Sequence, residues 1–411
     1  MNKKYVKLLT FVLAASLIFT TNNILAQDGQ TPSGKAATDG AGSSEPAQTS
    51  GATEPAEAAE TPGEAVDTPA ATEQGALRLS LEDALDLIET GNSSLKLVDS
   101  KLLIYEKQYE QALARSQARY SEVDEDSAKR NKLNHKRALW TLENAKHDRE
   151  NQVKDLKIQI SNQYQNILAL QKQVENLKTQ LNNVNTYIDQ LNLQIDLGLA
   201  VESQRYALNA QKSSLEAGLK ATQNTITSSL IALKRDLSID LNREVVLTSD
   251  LTAYKKFESA KFEEQLAQAI ANDYDIQKYE QDIELTDIEY DIAFDYSNNL
   301  TADQLQISIE DKKATLETLP VTKEVALRTA YNNLRSLENS VQAAQLGVEA
   351  DKINIEILQK KIEVGISSSI EMIELQNKLL NDQYTLLQNI NNYMSAAAGL
   401  RNSLEVTSTQ K

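Results

Sequence analysis

Residues 160–201 read ISNQYQNILALQKQVENLKTQLNNVNTYIDQLNLQIDLGLAV, and residues 327–368 read LRTAYNNLRSLENSVQAAQLGVEADKINIEILQKKIEVGISS. Sliding one onto the other by 167 positions, without a gap, places Tyr164 on Tyr331, Val174 on Val341, Ile188 on Ile355, Leu191 on Leu358, Ile195 on Ile362 and Gly198 on Gly365. The chain reads as an internal duplication. In the first copy Ile160, Ile167, Leu170, Val174, Leu177, Leu181, Val184, Ile188, Leu191 and Ile195 keep the three-and-four rhythm of a heptad seam, the mark of a long helix that packs on other helices. Each copy then meets a glycine, Gly198 or Gly365, and a second apolar-periodic run follows at once. A glycine just past a helix end accepts the left-handed conformation that reverses the chain, so each copy predicts a helical hairpin.

Working outward, Leu81 meets Phe262, Leu85 meets Leu266, Leu95 meets Ile276 and Tyr109 meets Tyr290 at an offset of 181. The ordered body is therefore two repeats, residues 77–250 and 251–411. Ser80, followed by Glu82 and Asp83, predicts a capped helix start. The charged segment from Ser121 to Asn151 reads as helical, an extension of the helix that follows it. Tyr296 to Pro320 reads as polar and irregular, with a strand hint at Leu305–Ile309, and Val245–Thr248 as either a short strand or an extended crossover in a belt outside the helices. The fold class is all-α, with duplicated long antiparallel hairpins and little or no β structure.

Five of the six prolines and seven of the thirteen glycines lie between residues 27 and 76, in a stretch of Ala, Thr, Pro, Ser and Glu that cannot offset the entropy of ordering. Residues 27–76 thus read as a disordered acidic linker. Before it, Lys3, Lys4 and Lys7 precede an apolar run from Leu8 to Phe19, and Ile24-Leu25-Ala26 suits cleavage. Residues 1–26 read as a secretory signal peptide, with an uncleaved anchor as the alternative. A net charge of −17 gives no basic stripe for nucleic acid, and the absence of cysteine removes disulfides, thiolate chemistry and cysteine metal sites.

Enzyme readings find little purchase. The two histidines, His135 and His147, are twelve apart, which does not put them on one helix face, and read as surface residues. No glycine-rich phosphate loop, serine-nucleophile elbow or metal-ligand cluster is present, so no catalytic residue, metal or cofactor is expected. Tyr164 and Tyr331 read as seam-packing residues.

A leading Leu-x-Leu-Glu-x-Ala-Leu, two homologous halves, and hairpins that turn at Leu-Gly-Leu-Ala-Val and Val-Gly-Ile-Ser-Ser resemble the TolC-like outer-membrane efflux proteins, over roughly residues 77–408. The resemblance implies a homotrimer whose helices line a hollow barrel. It implies docking of a membrane-fusion (adaptor) protein at the turns Gly198, Leu199, Ala200, Val201 and Gly365, Ile366, Ser367, Ser368, and an inner-membrane pump that drives export. By that resemblance Glu371 and Glu374 match the family's acidic tunnel constriction, with a solvated helix face as the alternative, and Arg205 and Tyr206 stand where they would help latch the tip, with an exposed arginine near a helix start as the alternative. The implied location is the cell envelope, at the outer membrane. One departure stands out, because no membrane-barrel strands are recognisable in either half: the barrel is lost, or its strands are too degenerate to read. The rival reading is an elongated coiled-coil structural or interaction protein of the envelope without an open channel.

Overall fold

The computed structural model describes residues 76–118, 121–297, 299–364, 366 and 369–404; the chain divides into two units, residues 1–70 and 71–411, and all of these fall in the second. The signal segment and nearly all of the linker lie outside the described residues.

A three-residue strand β1 (Leu77–Leu79) opens the unit and leads into α1 (Leu81–Gly91). Ser80 and Asp83 form a reciprocal capping box at that junction, as the serine-before-acid pattern predicts. Asn92 caps α2 (Ser93–Gln117), accepting from the backbone of Ser94 and Leu95, and Asp124 caps the short α3 (Glu125–Lys132) through a second box with Ser127. The chain then breaks at buried Leu133 before α4 (Asn134–Asp196), so the charged segment is two helices rather than one. α4 turns into α5 (Glu202–Asp236), after which β2 (Val245–Leu247) pairs in parallel with β1, Leu77 opposite Val245 and Leu79 opposite Leu247. A 3-10 turn (Ser259–Lys261) precedes α6 (Phe262–Ala271), α7 (Tyr274–Tyr296), α8 (Asn299–Glu363) and α9 (Ser369–Leu404). No described helix is long and apolar enough to cross a membrane.

The irregular segment and strand expected between Tyr296 and Pro320 are instead the first third of α8, which continues through Pro320. The physical reason is one-sidedness: Ala302 and Ile309, seven apart, are buried while the polar residues between them face out, which a helix satisfies and a strand does not. With 63 and 65 residues, α4 and α8 are each roughly 95 Å long at 1.5 Å per residue.

Each half has its own core where its short helices meet its long one. In the first, Leu79, Ala84, Ile88, Leu95, Ile160 and Tyr164 pack with Leu233 and Leu237; in the second, Phe257, Phe262, Leu266, Leu334 and Val341 pack with Tyr393 and Leu400. A tyrosine hydroxyl ties the belt to each core. Tyr164 is wholly buried, donates to the Leu79 carbonyl at 2.8 Å and accepts from the Thr248 and Ser249 amides at 3.1 and 3.0 Å. In the second half that part falls to Tyr393, which accepts from the Phe257 amide at 2.8 Å, whereas Tyr331 stacks on Phe262 with ring centroids 3.9 Å apart.

Away from the belt the helices lie side by side in a layer one helix thick. On one side of the belt α2 packs on α4, α4 reaches α7 through His147 against Tyr274 and Trp140 against the Lys278 carbonyl, and α7 packs on α8. On the other side the order is α5, α4, α9, α8. α4 and α9 meet through amides as well as apolar groups: Asn162 donates to Ser395 Oγ (2.7 Å), Asn176 to the Leu380 carbonyl (3.1 Å) and Gln180 to Asn381 Oδ1 (3.1 Å). The side-chain amides of a Gln- and Asn-rich sequence thus find partners across the seam.

Candidate functional site

The end of α4 closes in the manner its glycine dictates. Gly198 has φ +73°, its amide donates to the Ile195 carbonyl at 2.9 Å, and the Leu199 amide donates to the Gln194 carbonyl at 2.8 Å. These two bonds satisfy carbonyls that a helix end leaves orphaned. At the end of α8 the Ile366 amide donates to the Lys361 carbonyl at 2.9 Å, the same six-to-one closure. Gly365, Ser367 and Ser368 lie outside the described residues. Leu197, Leu199 and Val201 at the first turn, with Val364 and Ile366 at the second, are all more than 60% exposed, an uncommon concentration of bare aliphatic groups on an acidic chain. Tyr206 is also exposed, and Arg205 is held in an ion pair with Glu202 one turn earlier in its own helix.

Glu371 and Glu374 are both exposed in the first turns of α9 and, three apart, lie on neighbouring positions of one helix face. Glu374 approaches Tyr187 of α4, whose phenol is held above its ordinary pKa by burial and secondarily by that carboxylate. Behind the pair, Lys378 binds both oxygens of buried Asp351 at 2.7 Å and also Asp382, partners that raise its pKa. This triad fixes α9 against α8 just beyond the two glutamates.

His147 departs from the expected surface role. Its ring stacks on Tyr274, with centroids 3.6 Å apart and planes 12° off parallel, and desolvation lowers its pKa. Burial pushes the Tyr274 phenol up to about 12. The pair joins α4 to α7 across the two halves, which the sequence hides because the stacking partners lie 127 positions apart. Among the described residues no group of His, Asp or Glu is arranged to hold a metal.

At the end of the layer opposite the turns, seven residues (118–124) link α2 to α3 and two (297–298) link α7 to α8. A strand that crosses a bilayer takes about 9–11 residues, so neither link holds even one hairpin of such strands. α3 occupies this end instead. Ala128 and Leu133 pack on Leu285 and Ile292 of α7, and Lys129 and Arg137 both pair with Glu289.

Solved structures share this architecture. Superposition on CusC, whose crystal structures concern folding and transmembrane channel formation, gives a TM-score of 0.62 over 79% of this chain and 91% of that one, at 14% identity. The outer membrane protein VceC of Vibrio cholerae gives 0.60 over 79% and 95%, at 14% identity, and the CmeC outer membrane channel of Campylobacter jejuni 0.62 over 79% and 85%, at 12%. No protein-family model and no curated protein matches the chain in sequence. The class defined here is therefore one of fold: a protomer built like those of outer-membrane channels, as the resemblance to TolC-like proteins implies.

Proposed function

We propose that this chain is one protomer of a helical tunnel in the cell envelope, a passive conduit that catalyses nothing and takes its driving force from a partner pump. The observation that carries this reading is the pair of open edges on the single helix layer. On one edge α2 leaves Leu97, Leu103 and Ile104 at least 55% exposed; on the other α8 leaves Leu300, Ile307, Val321 and Val325 at least 59% exposed. Leu97 to Ile104 and Leu300 to Ile307 are heptad steps, the spacing that seats one helix on another. A strip of helices with unpartnered apolar seams on both edges closes by joining the α8 edge of one copy to the α2 edge of the next, a head-to-tail contact that makes a ring.

In that ring, taken as a homotrimer, Glu371 and Glu374 repeat into acidic rings at the constriction, and the bare aliphatic turns around Gly198 and Gly365 are the docking point for an adaptor protein. Export by a signal peptide places it in the envelope.

Light scattering coupled to size exclusion tests the ring. The expected molar mass is three times that of one chain, falling to that of one chain when Leu97→Glu and Ile104→Glu charge the α2 edge, and likewise for Ile307→Glu on α8. A single-chain mass at every concentration, unchanged by an adaptor, leaves the second reading, an elongated interaction protein without a lumen.

A further inference from the structure

Residues 251–258, which lead towards α6, form neither helix nor strand, and the end of α9 lies beside them. The crevice between the two holds about 250 Å³, with buried Phe257 and Leu404 as its apolar part. Its charge runs against that of the chain. The sequence carries 59 acidic and 42 basic residues, yet this wall sets Lys255, Lys256 and Arg401 against Glu258 alone. Lys256 is bound to buried Glu338 at 2.6 Å. Lys255 and Arg401 have no such partner: among the described residues neither side chain forms an ion pair or a hydrogen bond. Half-buried Arg401 is held over the Phe257 ring, its guanidinium carbon 5.8 Å from the centroid, a contact that places the cation without an anion. The first half shows the same approach completed. There the residues leading into α1 are strand β1, held by the Tyr164 hydroxyl and paired with β2. In the second half the Tyr393 hydroxyl accepts from the Phe257 amide, but the main-chain groups of Lys255 and Lys256 have no hydrogen-bond partner among the described residues.

We propose that this crevice binds an extended acidic peptide of a partner protein, with a carboxylate on Arg401 and Lys255, main chain against that of Lys255 and Lys256, and an apolar side chain over Phe257 and Leu404. Charge complementarity selects the carboxylate. A guanidinium with its N–H fork unshared matches the two oxygens of that group. The open main chain selects a peptide over a small anion, because only a partner with amides in line can hydrogen-bond to both neighbours as a strand adds to a sheet edge. The inference rests on neither the ring nor the pump.

The test is fluorescence anisotropy of dye-labelled acetyl-Glu-Val-Glu-Val-Glu-Val-amide, titrated with the chain from Gln27 to Lys411, which keeps every described residue. Saturable binding that weakens with salt is expected, and Arg401→Gln should weaken it about tenfold or more. Two control peptides should fail: one with lysine in place of glutamate, and one with proline in place of valine, which keeps the carboxylates but loses the main-chain donors. Equal binding of the proline peptide, or displacement by acetate as readily as by unlabelled peptide, marks a simple anion site and overturns the proposal. Absence of binding, or binding unchanged in Arg401→Gln, also overturns it. So does binding that appears only when residues 405–411 are removed, which assigns the crevice to the chain's own end. Should Arg401→Gln lose its helical circular dichroism, Lys255→Glu at an exposed position gives the second readout: weakened binding supports the contact, and unchanged binding overturns it. Light scattering on the same samples reports the ring separately, so failure of one reading does not mask the other.

Discussion

The Tyr164 hydroxyl holds three backbone groups at once, the Leu79 carbonyl and the Thr248 and Ser249 amides, in a wholly buried position. Tyr164→Phe keeps the ring and leaves the Ser249 amide without this acceptor, while the Thr248 amide still donates to the Leu79 carbonyl at 3.0 Å, so it should cost about 1–3 kcal/mol, read from the urea midpoint. The periodicity placed Tyr164 on a seam and missed this role, because its partners come from the end of β1 and the residues just past β2, 84 or 85 positions away in sequence. Tyr331, its counterpart in the sequence alignment, stacks on Phe262 instead, so a shared letter at matched positions did not carry a shared function. Ser238 shows the converse. It ends α5 with φ 54°, and the Ser238 and Ile239 amides close on the Arg235 and Lys234 carbonyls as Gly198 and Leu199 close α4. A serine pays a steric cost there that glycine avoids, and Ser238→Gly should raise stability by about 0.5–1 kcal/mol in the same titration. Burial depresses the pKa of His135 and His147 below the ordinary 6.5. The neutral rings therefore contribute fully above about pH 6.5 and their contribution is lost as pH falls through the depressed values. His147→Gln should flatten the fall of Tm on that acid side; an unchanged slope would exclude His147 as a source.

Helices were the most legible level of this chain. The boundaries of α1 and α6 lie 181 positions apart at their starts, and those of α4 and α8 lie 167 apart at their ends, the two offsets read from the sequence. Those positions are marked by caps, glycines and apolar rhythm, all of which act locally. The start of α8 was not legible for the opposite reason: its apolar positions are sparse, Pro320 punctuates it, and its helicity depends on Ala302 and Ile309 meeting α7. Pro320 denies the helix one amide donor. Pro320→Ala supplies it, and an increase of up to about 3 kcal/mol is expected, visible as a higher Tm by calorimetry. β1 and β2 were harder still, since three-residue strands have no period to read and take their register from a partner 168 positions away. At the α4 turn a Cβ on Gly198 meets nothing within 4 Å, so the cost of Gly198→Val is conformational, about 1–2 kcal/mol, and local. Global stability should change little, while adaptor capture by that variant should fall if the turn is the docking point.

For the molecule as a whole, sequence spoke to the fold and stopped at the assembly. Heptad spacing announces that a helix has a partner without saying whether the partner belongs to the same chain, and only the one-helix-thick layer separates the satisfied seam of α4 and α9 from the bare edges of α2 and α8. The end opposite the turns was equally hidden, because residues 118–124 and 297–298 acquire meaning only when the helices on either side are seen to finish together. The two long helices also set the mechanics. α4 and α8 run through the belt as single unbroken rods, whereas α5 and α9 begin at the turns and stop at the belt. A rod that continues on both sides of a collar behaves as a lever with a fixed fulcrum, and a strut fastened at one end behaves as a vane. Any widening of the tip would be carried by α5 and α9 swinging from their belt ends, and for α9 the amides that bind it to α4 would be the latch to release, bonds that water can replace one at a time.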